Sequence, residues 1–320
     1  MKILLISPIH PESIDSLSRD HDVRCAFKPD AGELPGLIAD REVLIFRSGV
    51  TVSEELLQSA SDLRLLVRAG SGLDNIDLAG VRSHDLRLVR VPGPGAQAVA
   101  ELTFGLLLSL ARNVTLADRL IRQGHWPKHD LGGPLVSGKT LGILGAGNIG
   151  CHVGDLGVAW GMRVIGCVEH GSDTRATELA ARGITLTDCS TVVSEADFLT
   201  LHVPLTEATY HMMGASSLAR MKSGSFLINA ARGGVVDEDA LYAELTQPGR
   251  LRGAALDVHK REGEGIVPLL AELPNVVLTP HIGAMATDSQ RAIGRRVIRI
   301  IESFIDGRIE EEAKDGELVA

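Results

Sequence analysis

Aromatic side chains are nearly missing from this 320-residue chain, at 3% with two tryptophans and two tyrosines. Its cores must therefore rest on Leu, Val, Ile and Ala. Basic clusters are missing too. The net charge is −9, which argues against a nucleic-acid partner. The four cysteines (Cys25, Cys151, Cys167, Cys189) lack metal-ligand spacing, so no metal site is expected. They read as buried free thiols in a reducing cytosol. No apolar run is long enough to cross a membrane, and the opening M-K-I-L-L-I-S-P is too short for a signal peptide. A cytoplasmic location is expected. What remains is ordinary globular composition, 44% hydrophobic and 23% charged, in a chain long enough for about two domains.

Short apolar runs alternate with helix-like stretches. In the first 95 residues strands are expected at 2–6, 23–27, 43–46, 63–67 and 87–91, and helices at 11–18 and 54–60. Ser53 would cap the second helix, with acids in its first turn. Such alternation means a parallel sheet covered on both faces. This part is too short for a full dinucleotide fold and looks like a smaller, flavodoxin-like domain. Pro92-Gly93-Pro94-Gly95 reads as a linker. One apolar helix is expected over 96–123. Further strands are expected near 141–144 and at 163–168, 184–186, 198–201, 225–229, 252–256 and 276–278, which makes a second doubly wound sheet of about seven strands. Residues 287–305 read as one helix, followed by an acidic tail expected to fray.

The run Thr140 to Gly150, T-L-G-I-L-G-A-G-N-I-G, organises the second sheet. An apolar strand runs straight into Gly145-x-Gly147-x-x-Gly150. Gly145 would allow the tight turn, Gly147 would let backbone approach a pyrophosphate, and Gly150 would let the next helix pack close. The anion would sit at the helix N-terminus. Among 35 glycines the pattern alone is weak. Its context strengthens it, because a second strand ends at Glu169 a little over 20 residues on. Glu169 would accept from the adenosine ribose hydroxyls and repel a 2′-phosphate, which favours NAD over NADP. Ligands bind at the carboxyl ends of such strands, where His202, Arg232, Asp257 and His281 all fall.

Three of the chain's side chains suit acid–base and carboxylate chemistry. His281 could carry a proton near neutral pH, and a nearby Glu262 would fix its tautomer. Arg232 offers a planar fork matching a carboxylate. Each also has an ordinary reading: a surface ion pair for Arg232, a loop histidine, and a solvated charge run around Lys260, Arg261, Glu262 and Glu264.

Seven segments carry a resemblance across nearly the whole chain: R-A-G-S-G-L-D-N-I-D (68–77), A-V-A-E-L-T-F-G-L-L-L (98–108), S-G-K-T-L-G-I-L-G-A-G-N-I-G (137–150), H-V-P-L-T (202–206), I-N-A-A-R-G-G-V-V-D (228–237), G-A-A-L-D-V (253–258) and L-T-P-H-I-G (278–283). In this order the chain resembles the D-isomer-specific 2-hydroxyacid dehydrogenases, most closely their phosphoglycerate-dehydrogenase-like branch. The resemblance implies an α/β protein of two doubly wound domains. A Rossmann NAD-binding domain (97–287) would be inserted into a flavodoxin-like substrate domain (1–96 plus 288–320). Arg232, Glu262 and His281 would be the catalytic trio. Gly145, Gly147, Asn148, Ile149, Gly150, Glu169, His202, Val203, Pro204, Thr209, Ala230, Asp257 and Gly283 would line the cofactor, with Asp257 holding the carboxamide. Backbone at Ser71 and Gly72 would cradle the substrate carboxylate, and Arg47-Ser48 would face its distal group. The expected substrate is D-3-phosphoglycerate or a similar small anionic 2-hydroxy acid, turned over by a homodimer built largely on the nucleotide domain. The chain departs from the family with His259 where an aromatic is usual, Gly263 where proline is usual, and its strand-end acid at Glu169 rather than at Val168. The loop 260–266 is accordingly expected to be freer than usual. No regulatory domain is expected past residue 320, and so no inhibition by serine through one. A glyoxylate/hydroxypyruvate reductase is the alternative within the family. A non-catalytic NAD-binding regulatory partner, like the C-terminal-binding-protein corepressors, is the alternative of another class. A formate dehydrogenase relative fits less well, since those enzymes have Gln where Glu262 stands.

Overall fold

The computed structural model describes every residue except 28, 31 and 314–316. The chain forms two compact units, Met1–Ala98 with Ala284–Ala320, and Val99–Gly283.

The first unit holds five parallel strands, β1 (Lys2–Leu5), β2 (Asp22–Cys25), β3 (Val43–Phe46), β4 (Leu65–Arg68) and β5 (Arg87–Arg90), in the order β2-β1-β3-β4-β5. This is the flavodoxin-like order, with its switch point between β1 and β3. The inner strands β1, β3 and β4 are buried on both faces, which is why they read as nearly unbroken apolar runs, whereas the edge strand β2 (DVRC) is mostly exposed. Ile3, Leu5, Ile45 and Val67 pack against Ile293, Val297 and Ile301 of helix Thr287–Ile305. Leu4, Leu44 and Leu66 pack against Leu56, Leu57 and Val81 on the other side. Ser53 caps helix Glu54–Gln58, accepting from the Leu56 amide as its sequence suggests. Helices Leu34–Ile38 and Leu78–Ser83 are too short for a periodic signal and were not expected.

The second unit holds seven parallel strands, β6 (Thr140–Leu144), β7 (Arg163–Cys167), β8 (Ile184–Leu186), β9 (Phe198–Leu201), β10 (Phe226–Asn229), β11 (Gly253–Leu256) and β12 (Val276–Leu278), in the order β12-β11-β10-β9-β6-β7-β8. The chain runs outward through β7 and β8, then crosses back to β9 beside β6. That reversal makes a crevice at the carboxyl ends of β6 and β9. Phe198 and Phe226 stack at 4.9 Å between ring centres on one face, using two of the chain's few aromatics.

Five expectations need correction. The long helix is two, Gly93–Ala111 and Val114–Arg122, because Asn113 adopts a left-handed φ of 55°. Gly93, Pro94 and Gly95 form the first turn of the former rather than a linker. Helix Gly93–Ala111 does have the length and hydropathy of a membrane span, but 56% of it is buried, with Phe104, Leu107 and Leu110 in the core. The tail does not fray where it is described. Arg296 and Glu317 form a buried ion pair, and Ala320 O accepts from Leu88 N. Residues 314–316 of that tail lie outside the described residues. Finally, Cys167 and Cys189 are joined in a disulfide, while Cys151 is a buried free thiol and Cys25 an exposed one. The pairing joins the end of β7 to the start of helix Cys189–Glu195, a proximity made by tertiary packing and invisible in the spacing.

Candidate active site

Loops at the carboxyl edge of the seven-stranded sheet place the sequence candidates in a row. From one side to the other come His281 after β12, Asp257 and Glu262 after β11, Arg232 after β10, His202 after β9, the glycine turn after β6 and Glu169 after β7.

The glycine turn is built for an anion. Gly145 has φ 92°, and a Cβ there would lie 2.6 Å from the His202 carbonyl oxygen. A Cβ on Gly150 would lie 2.3 Å from the Gly145 carbonyl oxygen, so helix Asn148–Ala159 can start close against the turn only with glycine there. The amides of the first helical turn, at Asn148, Ile149 and Gly150, precede any intrahelical partner, and the positive end of a helix dipole at such a terminus favours an anion. The turn itself is gripped. Gly145 N and Ala146 N both donate to Cys167 O, at 3.1 and 2.9 Å, and Arg175 Nη2 donates to Ala146 O at 2.6 Å. Arg175 was not among the sequence candidates. It sits on helix Asp173–Ala181, and nothing in its spacing shows that it reaches back to the turn. Glu169 is exposed just past β7. Thr209 spends its hydroxyl inside its own loop, donating to Pro204 O at 2.6 Å.

Asp257 is 1% exposed and fully engaged. Its Oδ1 accepts from Thr279 Oγ1 (2.6 Å) and Ile282 N (2.8 Å), and its Oδ2 accepts from Gly283 N (2.8 Å). Its carbonyl accepts from His281 N at 2.7 Å. These four bonds hold His281 in a left-handed conformation, φ 55°, that a non-glycine residue adopts only when its surroundings impose it.

His281 Nδ1 lies 2.8 Å from Glu262 Oε2. The carboxylate accepts from Nδ1–H, which leaves Nε2 as the exchangeable position on the ring. Burial would raise the Glu262 carboxyl. The hydrogen bond and charge of His281, with the His259 amide at 3.1 Å, outweigh it and hold Glu262 below the usual carboxylate range. His259 is a second residue that sequence reasoning left without a role. Its amide fixes Glu262, and its Nε2 bonds Thr279 O at 2.9 Å, so it ties the Glu262 loop to the His281 loop. These ties fix Glu262, within the first three residues of the 260–266 loop. Arg232 stands at the end of β10, on a turn pinned by Asn229, whose side chain accepts from Ala231 N and donates to Arg232 O. Its Nη1 donates to Ala231 O at 2.8 Å.

In the first unit, the candidate substrate residues also sit at strand ends. Arg47 N donates to Ser7 Oγ at the switch point. The Arg47 guanidinium meets only neutral partners among the described residues, Gln290 Oε1 at 2.5 Å and the Met285 sulfur, and burial pulls it below its ordinary value. Arg68 is 4% exposed and donates through Nε to Gly72 O. It is a brace for the Gly70–Gly72 turn. Arg90 Nη1 donates to Ser71 O and Val91 N to Gly70 O, so three successive carbonyls of that turn are tied back. Among the described residues the Ser71 and Gly72 amides have no acceptor.

A doubly wound parallel sheet with a glycine turn at its switch point defines a dinucleotide-binding protein. Residues 104–283 match the family described as D-isomer specific 2-hydroxyacid dehydrogenase, NAD binding domain. The chain is 38% identical over 312 residues to D-3-phosphoglycerate dehydrogenase of Methanocaldococcus jannaschii, covering 97% of this chain and 59% of that protein. It is 39% identical over 271 residues to hydroxypyruvate reductase of Thermotoga maritima, covering 84% and 86%. Its structure matches D-lactate dehydrogenase of Aquifex aeolicus, solved with NAD and lactic acid, with a TM-score of 0.87 at 27% identity over 100% and 99% of the two chains. The chain belongs to the D-isomer-specific 2-hydroxyacid dehydrogenase family, and its cofactor is NAD. It spans 59% of the length of the phosphoglycerate dehydrogenase it matches.

Both ring nitrogens of His202 are buried and unpartnered among the described residues, and burial pushes its imidazolium down to about 3 from 6.5. The folded chain therefore holds this ring neutral. An unfolded chain protonates it as pH falls below its ordinary value, so its contribution to stability is complete above about pH 6.5 and is lost as pH drops toward 3. Denaturant unfolding of wild type and His202→Phe between pH 7 and 5 should show the wild type losing stability faster. A pH-independent difference between the two would refute this.

Proposed function

We propose that this chain is an NAD-dependent D-2-hydroxyacid dehydrogenase, or 2-oxoacid reductase, acting on D-3-phosphoglycerate or a similar small anionic acid. The observation that carries this reading is the His281–Glu262 pair, 2.8 Å apart, at the edge of the sheet whose glycine turn takes the dinucleotide. Bound NADH supplies the hydride. Protonated His281 gives its Nε2 proton to the carbonyl oxygen in reduction and takes it back in oxidation. Glu262, held ionised, supports the positive ring. Arg232 binds the substrate carboxylate and polarises the carbonyl. In the first unit the Ser71 and Gly72 amides, and Arg47, which meets no carboxylate among the described residues, are the groups suited to an anionic substrate. Asp257 works here as the anchor of the His281 loop. Glu169, at the end of β7, accepts from the ribose hydroxyls and disfavours NADP.

The first unit would then be the substrate domain and the second the cofactor domain. A homodimer goes with this reading. Helix Val114–Arg122 buries none of its residues, and Val114, Ile121, Trp126 and Leu135 stand exposed on the nucleotide-binding unit. A cytoplasmic location goes with an enzyme of small soluble metabolites. Hydroxypyruvate reduction is the second reading, favoured by the Thermotoga maritima relative, of which this chain covers 86%.

Rates of NADH oxidation with 3-phosphohydroxypyruvate, hydroxypyruvate, glyoxylate and pyruvate should rank the phosphorylated acid first. If hydroxypyruvate exceeds it, the second reading holds, and no turnover of any would leave a non-catalytic NAD-binding role. His281→Ala should lower kcat by roughly 10²–10⁴-fold, the usual worth of a general acid, with NADH affinity preserved. Near-wild-type turnover would remove His281 from the mechanism. Light scattering should give twice the mass of the chain, 34.0 kDa, and a monomer would remove the dimer.

A further inference from the structure

Two cysteines meet at one strand end of the cofactor unit, and hydride transfer makes no use of them. Cys167 closes β7 and is 2% exposed, while Cys189 opens helix Cys189–Glu195 and is exposed. Their Cα atoms are 5.3 Å apart and their sulfurs are bonded. The Cys167 carbonyl is the group that both Gly145 N and Ala146 N grip, so the bond braces the peptide from which the glycine turn hangs. Glu169, at the adenosine end, follows two residues later.

We propose that Cys167–Cys189 is a thiol–disulfide exchange site, served by a dithiol reductant, whose redox state sets how tightly the adenosine end of NAD is held. Only Cys189 is open to attack. A reductant thiolate bonds to the Cys189 sulfur, the Cys167–Cys189 bond breaks, and Cys167 leaves as a thiolate that takes a proton. The reductant's second thiol then attacks its own sulfur in the mixed disulfide, and Cys189 leaves and is protonated in turn. The protein gains two electrons and two protons, and the reductant ends as its own disulfide. In reducing compartments a disulfide that does form is usually catalytic or redox-sensing. Once it is cut, β7 and helix Cys189–Glu195 are held by packing, with Ile165 and Cys167 in one cluster with Val192 and Val193, and by the Arg163–Glu195 ion pair at 2.8 Å at the far end of the strand. The strand end, its carbonyl and Glu169 gain freedom that nucleotide binding must remove, so the reduced protein binds more weakly. The groups that face the reacting acid hang from β10, β11 and β12, three to five places away in the sheet.

The test is binding alone, so it stands apart from which acid is turned over. NADH and ADP-ribose affinities are measured by fluorescence and calorimetry on protein purified without reductant, then after dithiothreitol. Reduction should weaken both by about fivefold or more, a difference near 1 kcal/mol. Cys189→Ser should bind as weakly as the reduced wild type and ignore dithiothreitol. Equal affinities in the two states of the wild type would overturn the proposal, which does not depend on the variant folding. Mass mapping that finds Cys167 and Cys189 both alkylated without prior reduction would overturn it too.

Discussion

Burying the Asp257 carboxylate is the constraint on which the site depends. A carboxylate at 1% exposure is tolerable only if both its oxygens find donors in place of water. The donors are Thr279, Ile282 and Gly283, which bracket His281. The fold cannot bury Asp257 without drawing that loop into place, and the loop in place leaves His281 no choice of backbone. The strained φ of the histidine is thus maintained by the cost of the alternative, an unsatisfied carboxylate inside the protein. His259 extends the logic by fastening Glu262 from one side and Thr279 from the other.

Strand order converts this local arrangement into a linear one. Groups suited to proton transfer, carboxylate binding, phosphate binding and ribose recognition follow one another along a single sheet edge because neighbouring strands end at the same height. Nothing in the order of residues along the chain has that arrangement. It arises because the chain doubles back from β8 to β9 beside β6.

Much of the fold was legible because buried parallel strands are unbroken apolar runs between breakers, as at residues 43–46 and 140–144. The glycine turn was legible for the same reason that it exists, since two backbones come too close for a Cβ. Helices Leu34–Ile38 and Leu78–Ser83 were not, being shorter than two turns. Nor was the break at Asn113, where one left-handed residue ends a helix without disturbing the polarity pattern. Glu262 and His281 lie 19 residues apart; acid–base chemistry suggested the pair, the family resemblance supported it, and the structure places the two side chains in contact. The roles of Arg175, His259 and the Cys167–Cys189 bond depend on contacts between elements distant in sequence, which periodicity does not record.

The last long helix has a consequence for the order in which the molecule is made. Thr287–Ile305 supplies Ile293, Val297, Ile300 and Ile301 to one face of the first sheet, yet it leaves the ribosome after the whole cofactor unit. That face, with Ile3, Ile45 and Val67, stays uncovered while nearly two hundred residues are added. The inserted unit is continuous in sequence and can fold as it emerges, so the part synthesised first is the part completed last.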